Sequence, residues 1–387
     1  MHRLGAALAA AFLLLPSLPA EARGNLAWEQ WQHVAGVFDA VGPLPDGNLL
    51  LGTSHGLYEL RRTGDRLFPA RVDVPALAAG AEAYLALSPG LSSSAMGCSF
   101  PMPAVYMLKT TSPPAVLGVD LISGGSATFA PITGVDTLSG IAFDTYGRFG
   151  DRLLVIGPHA GQTVVDAIDC NGKVTVVTTS APRMEGGMEV APPTFGAYAG
   201  DLVVPDEYSG DILAVTAEGT TRVIAHSGLP TGGDIGVESA GFVPSGFFQG
   251  GAAYLADRAT ANNAHAGTDT LLRLDSAALR AEGVAEGDLL VATEGGGATV
   301  VVHCASDGSC SSVRRLGQAT AAAHGEGHLL VVANQPGAPP PPMAEGKLGA
   351  ASGSGNLAYL PYGAAIVVLA GLYLLYSRRR RRRSRTP

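Results

Sequence analysis

The stretch MEVAPPTFGAYAGDLVVPDEYSGDILAVTAEGTTRVIA, Met188 to Ala225, decides how this chain is read. It divides into four short apolar runs, Met188–Ala191, Asp201–Pro205, Asp211–Thr216 and Thr221–Ala225, and every gap carries Gly, Pro, Asp or Ser. Runs of this length, rich in β-branched residues and bounded by turn formers, predict strands joined by tight turns. Four such strands make one antiparallel sheet, which cannot bury both faces alone and must stack on copies of itself.

The copies show best at the second strand, where Gly-x-Leu opens a run of apolar residues. GNLLL starts at Gly47, GDLVV at Gly200, GDLLV at Gly287 and GHLLV at Gly327, with looser versions at Pro103 (PAVYM), Asp151 (DRLLV) and Gly251 (GAAYL). A four-stranded unit recurring every ~40–50 residues is the period of a β-propeller blade. The expected fold is therefore all-β, a propeller of six to seven four-stranded blades. Seven second strands suggest seven blades, and six result if Gly251 and Gly287 share one irregular blade. The 52 glycines and 26 prolines suit many tight turns. The N-terminal stretch with Trp28 and Trp31 is expected to supply the strands that the last repeat lacks, closing the ring with both rings as core packing.

Both ends have a different character. Met1 to Ala22 reads as a signal peptide: a basic start, an apolar run from Leu4 to Leu15, and Ala20-Glu-Ala22 as the cleavage site. The propeller body then occupies 25–335, and 336–356 is a Pro/Gly/Ser linker. Leu357 to Tyr376 contains no charge and is long enough for one C-terminal transmembrane helix. The tail 377–387 holds seven arginines, which by the positive-inside rule place it in the cytoplasm and the propeller outside. Partners are thus the membrane, through this helix, and an extracytoplasmic ligand or protein.

Setting aside Arg3, Arg23 and the tail leaves 16 of the 25 basic residues, and setting aside Glu21 leaves 32 of the 33 acidic ones. An exported body near −16 excludes nucleic acid as a partner and favours cations or neutral ligands. Four cysteines follow the signal. Cys304 and Cys310 flank a turn-like Ala-Ser-Asp-Gly-Ser and can pair across a hairpin, which leaves Cys98 with Cys170; four buried thiols are the alternative.

In a propeller, loops after second strands and the starts of first strands meet at one end of the central channel. Glu189 and Glu238 lie near first-strand starts, while Asp206, Glu207, Asp257, Glu294 and Asn334 end second strands. Their convergence would give an acidic mouth whose carboxylate and amide oxygens suit Ca²⁺. A second candidate is His324-Gly-Glu326-Gly-His328, whose alternating positions share one side of a strand and could hold Zn²⁺. The repeat alignment puts it in a first-to-second-strand turn, on the opposite face.

PDGNLLLGTSHGLYEL, Pro45 to Leu60, resembles the repeat D-G-N-L-W-I-G-T-x-x-G-L-Y of sensor-protein propellers, with Leu50 where that family has Trp. The blades around Gly140–Thr178 and Met188–Ala225 resemble the extracellular lactonase-like and NHL-type propellers. The C-terminal arrangement resembles bacterial sorting tails, although Leu360-Pro-Tyr-Gly lacks the Thr of L-P-x-T-G, and a plain anchor needs nothing more. These propeller resemblances imply the fold alone, and the reading of the whole chain is a bacterial, membrane-anchored propeller that binds a ligand or protein. The alternative is an extracytoplasmic lactonase-like hydrolase with a divalent metal at the acidic mouth.

Overall fold

The structure, a computed structural model, describes residues 26–70, 82–93, 96–310 and 314–333. The predicted signal peptide, linker, transmembrane span and arginine tail lie outside them. No helix among the described residues is long and apolar enough to cross a membrane.

Six sheets form the blades of a propeller, within the expected six to seven, but the strands after Gly251 and Gly287 belong to different blades. Blade 1 is Val37–Val41, Leu49–Thr53, Gly56–Leu60 and Leu67–Pro69. Blade 2 is Leu85–Leu87, Ala104–Lys109, Ala115–Asp120 and Ser126–Pro131, and blade 3 is Gly140–Phe143, Leu153–His159, Gln162–Ile168 and Val174–Ala181. Blade 4 is the deciding stretch itself, as Glu189–Val190, Leu202–Pro205, Asp211–Val215 and Thr221–His226.

The last two blades exchange strands. The inner strand Val237–Phe242 pairs with Leu289–Thr293, and Thr299–Val302 and Arg314–Gln318 complete blade 5. In between, the chain leaves to lay down Ala252–Asp257 and Thr270–Asp275 in blade 6, then returns through the short helix Ser276–Ala281. The innermost strand of blade 6 is Gly325–Val332, paired with Ala252–Asp257. GHLLV at Gly327 is therefore a first strand, not a seventh second strand. Its pattern reports burial on both faces, which first and second strands share.

N-terminal strands close the ring on both of these blades. Glu29–His33 is the outer strand of blade 6, and Leu26–Ala27 adds a parallel fifth strand to blade 5. Trp28 is buried and donates its indole N–H to Thr299 Oγ1 at 2.8 Å, while Trp31 packs on Tyr254.

Alternation along each second strand fills the spaces between blades. In blade 1, Leu49 and Leu51 face blade 6 while Leu50 faces blade 2. In blade 3, Leu153 and Val155 face blade 2 while Leu154 and Ile156 face blade 4. In blade 5, Leu289 and Val291 face blade 4 while Leu290 and Ala292 face blade 6. Six such apolar layers join the blades into a closed ring. Two disulfides, Cys98–Cys170 and Cys304–Cys310, take the expected pairing; the first ties Cys98, in the small sheet of Ser92–Ser93 and Cys98–Ser99, to the end of the third strand of blade 3.

Candidate functional site at the channel ends

Inner strands start at one end of the channel, and there the acidic side chains gather. The lead-in to blade 2 brings Glu82 and Tyr84, and that to blade 4 brings Arg183 and Glu185. The inner strands of blades 5 and 6 bring Glu238 and Glu326, with His324 just before the latter. Ends of second strands add Glu207, Arg258 and Glu294.

Arg183 bridges Glu185 at 3.0 Å and Glu207 at 2.9 Å, with its guanidinium stacked on Tyr208. Arg258 pairs with Glu326 at 3.1 Å and reaches Glu82 at 3.8 Å. His324 Nε2 lies 2.9 Å from Glu294 and 3.3 Å from Glu326. Glu238, buried, accepts the Tyr84 hydroxyl proton at 2.5 Å.

Six glutamates thus face two arginines and one histidine, and their titration is displaced accordingly. Burial, then repulsion from Glu326 and Glu185, pushes the Glu82 carboxyl up to about 8. Burial and the neighbours Glu185 and Glu294 push Glu207 to about 7. Glu238 rises well above the carboxylate range through burial and the charges of Glu326 and Glu82. Burial would lower His324, but hydrogen bonds to Glu294 and Glu326 outweigh it and raise the imidazole to about 10. One ligand atom from each of Glu294, His324 and Glu326 lies within 4.8 Å of the others, a spacing that one cation can bridge.

The channel narrows to a waist below this cluster. Gly186 N–H donates to Ser139 O, Gly187 N–H to Glu238 O, and Ser239 Oγ to Gly327 O. Gly186 has φ +89°, and a Cβ there would stand 2.1 Å from Glu238 O, so only glycine lets the strands approach this closely. Across the waist lies the His328 ring, with Nδ1 3.1 Å from both oxygens of Asp39 and Nε2 2.9 Å from Ile141 O.

These positions redistribute the residues expected from sequence. Glu207, Glu238 and Glu294 meet at the acidic end. Glu189 does not: Gly187 is in parallel register with Ser239, so Glu189 lies three residues, about 10 Å, further along the channel than Glu238. There it accepts Phe242 N–H at 2.7 Å. Asp206 spends its oxygens on Tyr208 N–H and Ser209 Oγ, closing its own turn. Asp257 likewise takes His324 N–H and the Thr268 hydroxyl. Asn334 lies outside the described residues.

His324 and Glu326 belong to the acidic end and not to the opposite face, because their strand is innermost; His328, two residues on, leaves them for the waist. Glu82, Tyr84, Arg183 and Glu185 escape sequence reading, since they occupy lead-ins without a strand pattern.

Neither a family model nor a curated protein matches the chain. Solved structures do. A protein designated gluconolactonase is 10% identical, with 78% of this chain and 83% of that one covered and a TM-score of 0.44. A protein designated TolB from Agrobacterium tumefaciens is 14% identical, with 75% and 83% covered and a TM-score of 0.42. The extracellular domain of a hybrid two-component system from B. thetaiotaomicron is 12% identical, with 69% and 26% covered and a TM-score of 0.38. Lactonase-like and sensor propellers, two groups that the sequence resembles, are thus among its structural neighbours. At these values the likeness reaches no further than fold.

Proposed function

We propose that the chain is an exported, membrane-anchored propeller that binds an extracytoplasmic ligand or protein at the acidic end of its channel. A divalent ion held by Glu294, His324 and Glu326 forms part of that site. The observation that carries this reading is the imbalance there: among the described residues, Glu82, Glu185, Glu207, Glu238, Glu294 and Glu326 face only Arg183, Arg258 and His324. Buried like charges disfavour ionisation until a cation joins them. Since Asp206 and Asp257 are committed to their turns, the remaining donors are one imidazole and two carboxylates. That set suits Mn²⁺ or Zn²⁺ better than the oxygen-only shell of Ca²⁺.

The test is thermal melting of the purified, metal-stripped full chain with Mn²⁺, Zn²⁺, Ca²⁺ or NaCl of matched ionic strength. A specific ion at a hundredfold excess over Kd adds about 2.7 kcal/mol, and Glu294→Gln with Glu326→Gln should remove the gain. Equal responses to the divalent ions and NaCl would leave only a solvated rim.

A hydrolase is the second reading. It is favoured by the Glu82 carboxyl, raised to about 8 beside the same donors, which suits a proton donor next to a carbonyl-polarising ion. Metal-dependent turnover of a lactone or ester, lost in Glu82→Gln, would select it over simple binding.

A further inference from the structure

The end of the channel beyond the waist is a cavity of about 400 Å³, within the usual range for small-molecule sites. Its walls include Val41, Leu87, Met102, Phe143, Met188 and Leu330, and its floor is Glu189 and His328. The wall is apolar because these side chains come from the far ends of the inner strands and the turns that follow them.

Charge on the floor is not balanced. His328 is committed to Asp39 and to Ile141 O, and together those two side chains make a neutral pair. Glu189 Oε2 holds Phe242 N–H, and no arginine or lysine lines the cavity among the described residues. Asp39 and Glu189 thus share the one imidazolium of His328, which leaves one negative charge in an apolar chamber uncompensated among the described residues, and that is costly.

We infer that this cavity is a second binding site, for a small organic ammonium compound whose apolar body fills the chamber and whose N–H groups meet Glu189. An ion pair in such surroundings is stronger than in water, while a neutral analogue gains only the apolar contact. Burial pushes the Glu189 carboxyl up to about 7, and an ammonium group beside it reverses that effect. This inference stands apart from the acidic end: the waist separates the two, and neither site uses the other's residues.

Titration calorimetry on the full chain near pH 8, where Glu189 is mostly ionised, tests it with phenethylamine, phenethyl alcohol and phenylacetate. The amine should bind about tenfold tighter than the alcohol, about 1.4 kcal/mol, and phenylacetate should not bind measurably. Glu189→Gln should bring the amine to the level of the alcohol. Met102→Trp, which fills the chamber from its rim, should abolish binding of both and serves if the Gln variant does not fold. Glu238→Gln, at the acidic end, should change neither. An amine bound no better than the alcohol, or a preference that survives Glu189→Gln, overturns the inference. So does a preference lost in Glu238→Gln, which would move the amine to the acidic end.

Discussion

Replacing His328 by Leu should cost the propeller far more than one side chain of similar size. A carbonyl oxygen only accepts, so Nε2 must carry a proton to meet Ile141 O at 2.9 Å; a carboxylate only accepts, so Nδ1 must carry one for Asp39. The ring is an imidazolium, and it joins blade 6 to blades 1 and 3. Asp39, fully buried, also takes the backbone N–H groups of Ala40, Leu85 and His328 at 2.8, 2.7 and 2.8 Å. Its charge stays in place when the ring goes, and breaking a buried pair from one side costs about 3–5 kcal/mol. At about 2 °C per kcal/mol for a body of this size, melting should fall by about 6–10 °C.

Urea unfolding of wild type, His328→Leu, Asp39→Asn and the double variant measures the coupling directly. The double variant should lose at least about 2 kcal/mol less than the two single losses together. The pH dependence has a definite sign. Burial acts to lower His328, but Asp39 outweighs it and the imidazole is raised. Its contribution is complete below the ordinary value of 6.5 and disappears as pH climbs through the raised one. A His328→Leu loss under about 1 kcal/mol, or strict additivity with Asp39→Asn, would refute the argument.

Three further outcomes are expected. Asp166, 1% exposed with Oδ1 unpartnered, has its carboxyl raised by burial from 3.8 to about 6, a penalty of at most about 3 kcal/mol. The folded state keeps that proton longer than the unfolded one, so stability falls as pH rises from 3.8 through 6; Asp166→Asn should match wild type near pH 4 and exceed it above pH 6 in melting curves. Replacing Cys98 and Cys170 by Ala, which opens a separation of 72 residues, should cost about 4 kcal/mol, against about 2 for Cys304 and Cys310 six residues apart, as denaturant midpoints would report. Deleting Leu357–Pro387 should release the protein from the membrane fraction, and recovery there would sink the proposed anchor.

How far the sequence could be read follows from what a strand pattern encodes. Blades 1 to 4 are contiguous in the chain, so the Gly-x-Leu marker finds the second strands at Leu49 and Leu202, and its looser versions those at Ala104 and Leu153. Blades 5 and 6 are assembled from interleaved segments, and local pattern carries no record of which strand pairs with which. Assigning Gly327 to a second strand produced two errors together, the seventh blade and the placing of His324 and Glu326 on the wrong face. Once that strand is innermost, its start must lie with Glu238 and Glu294. Glu189 went astray by register alone. It sits near the start of its strand, as Glu238 does, but blade 4 enters the ring three residues deeper.

The waist turns one channel into two chambers governed by different forces. Gly187 and Gly327 keep it shut: a Cβ on the first would lie 2.6 Å from Gly327 O, and one on the second 2.5 Å from Asp39 Oδ1. Hydrogen bonds there tie the inner strands of blades 3, 4, 5 and 6 to one another. On one side, carboxylates outnumber cations and the attraction for an ion is long-ranged and weakened by salt. On the other, a single carboxylate lies in an apolar wall, where contact area sets affinity and charge sets selectivity. Asp39 and His328 between them form a neutral pair, so the partition adds no net charge to either chamber. Selection at the two ends can therefore be separated by ionic strength: added salt should weaken the acidic end while leaving the apolar contribution of the other largely intact.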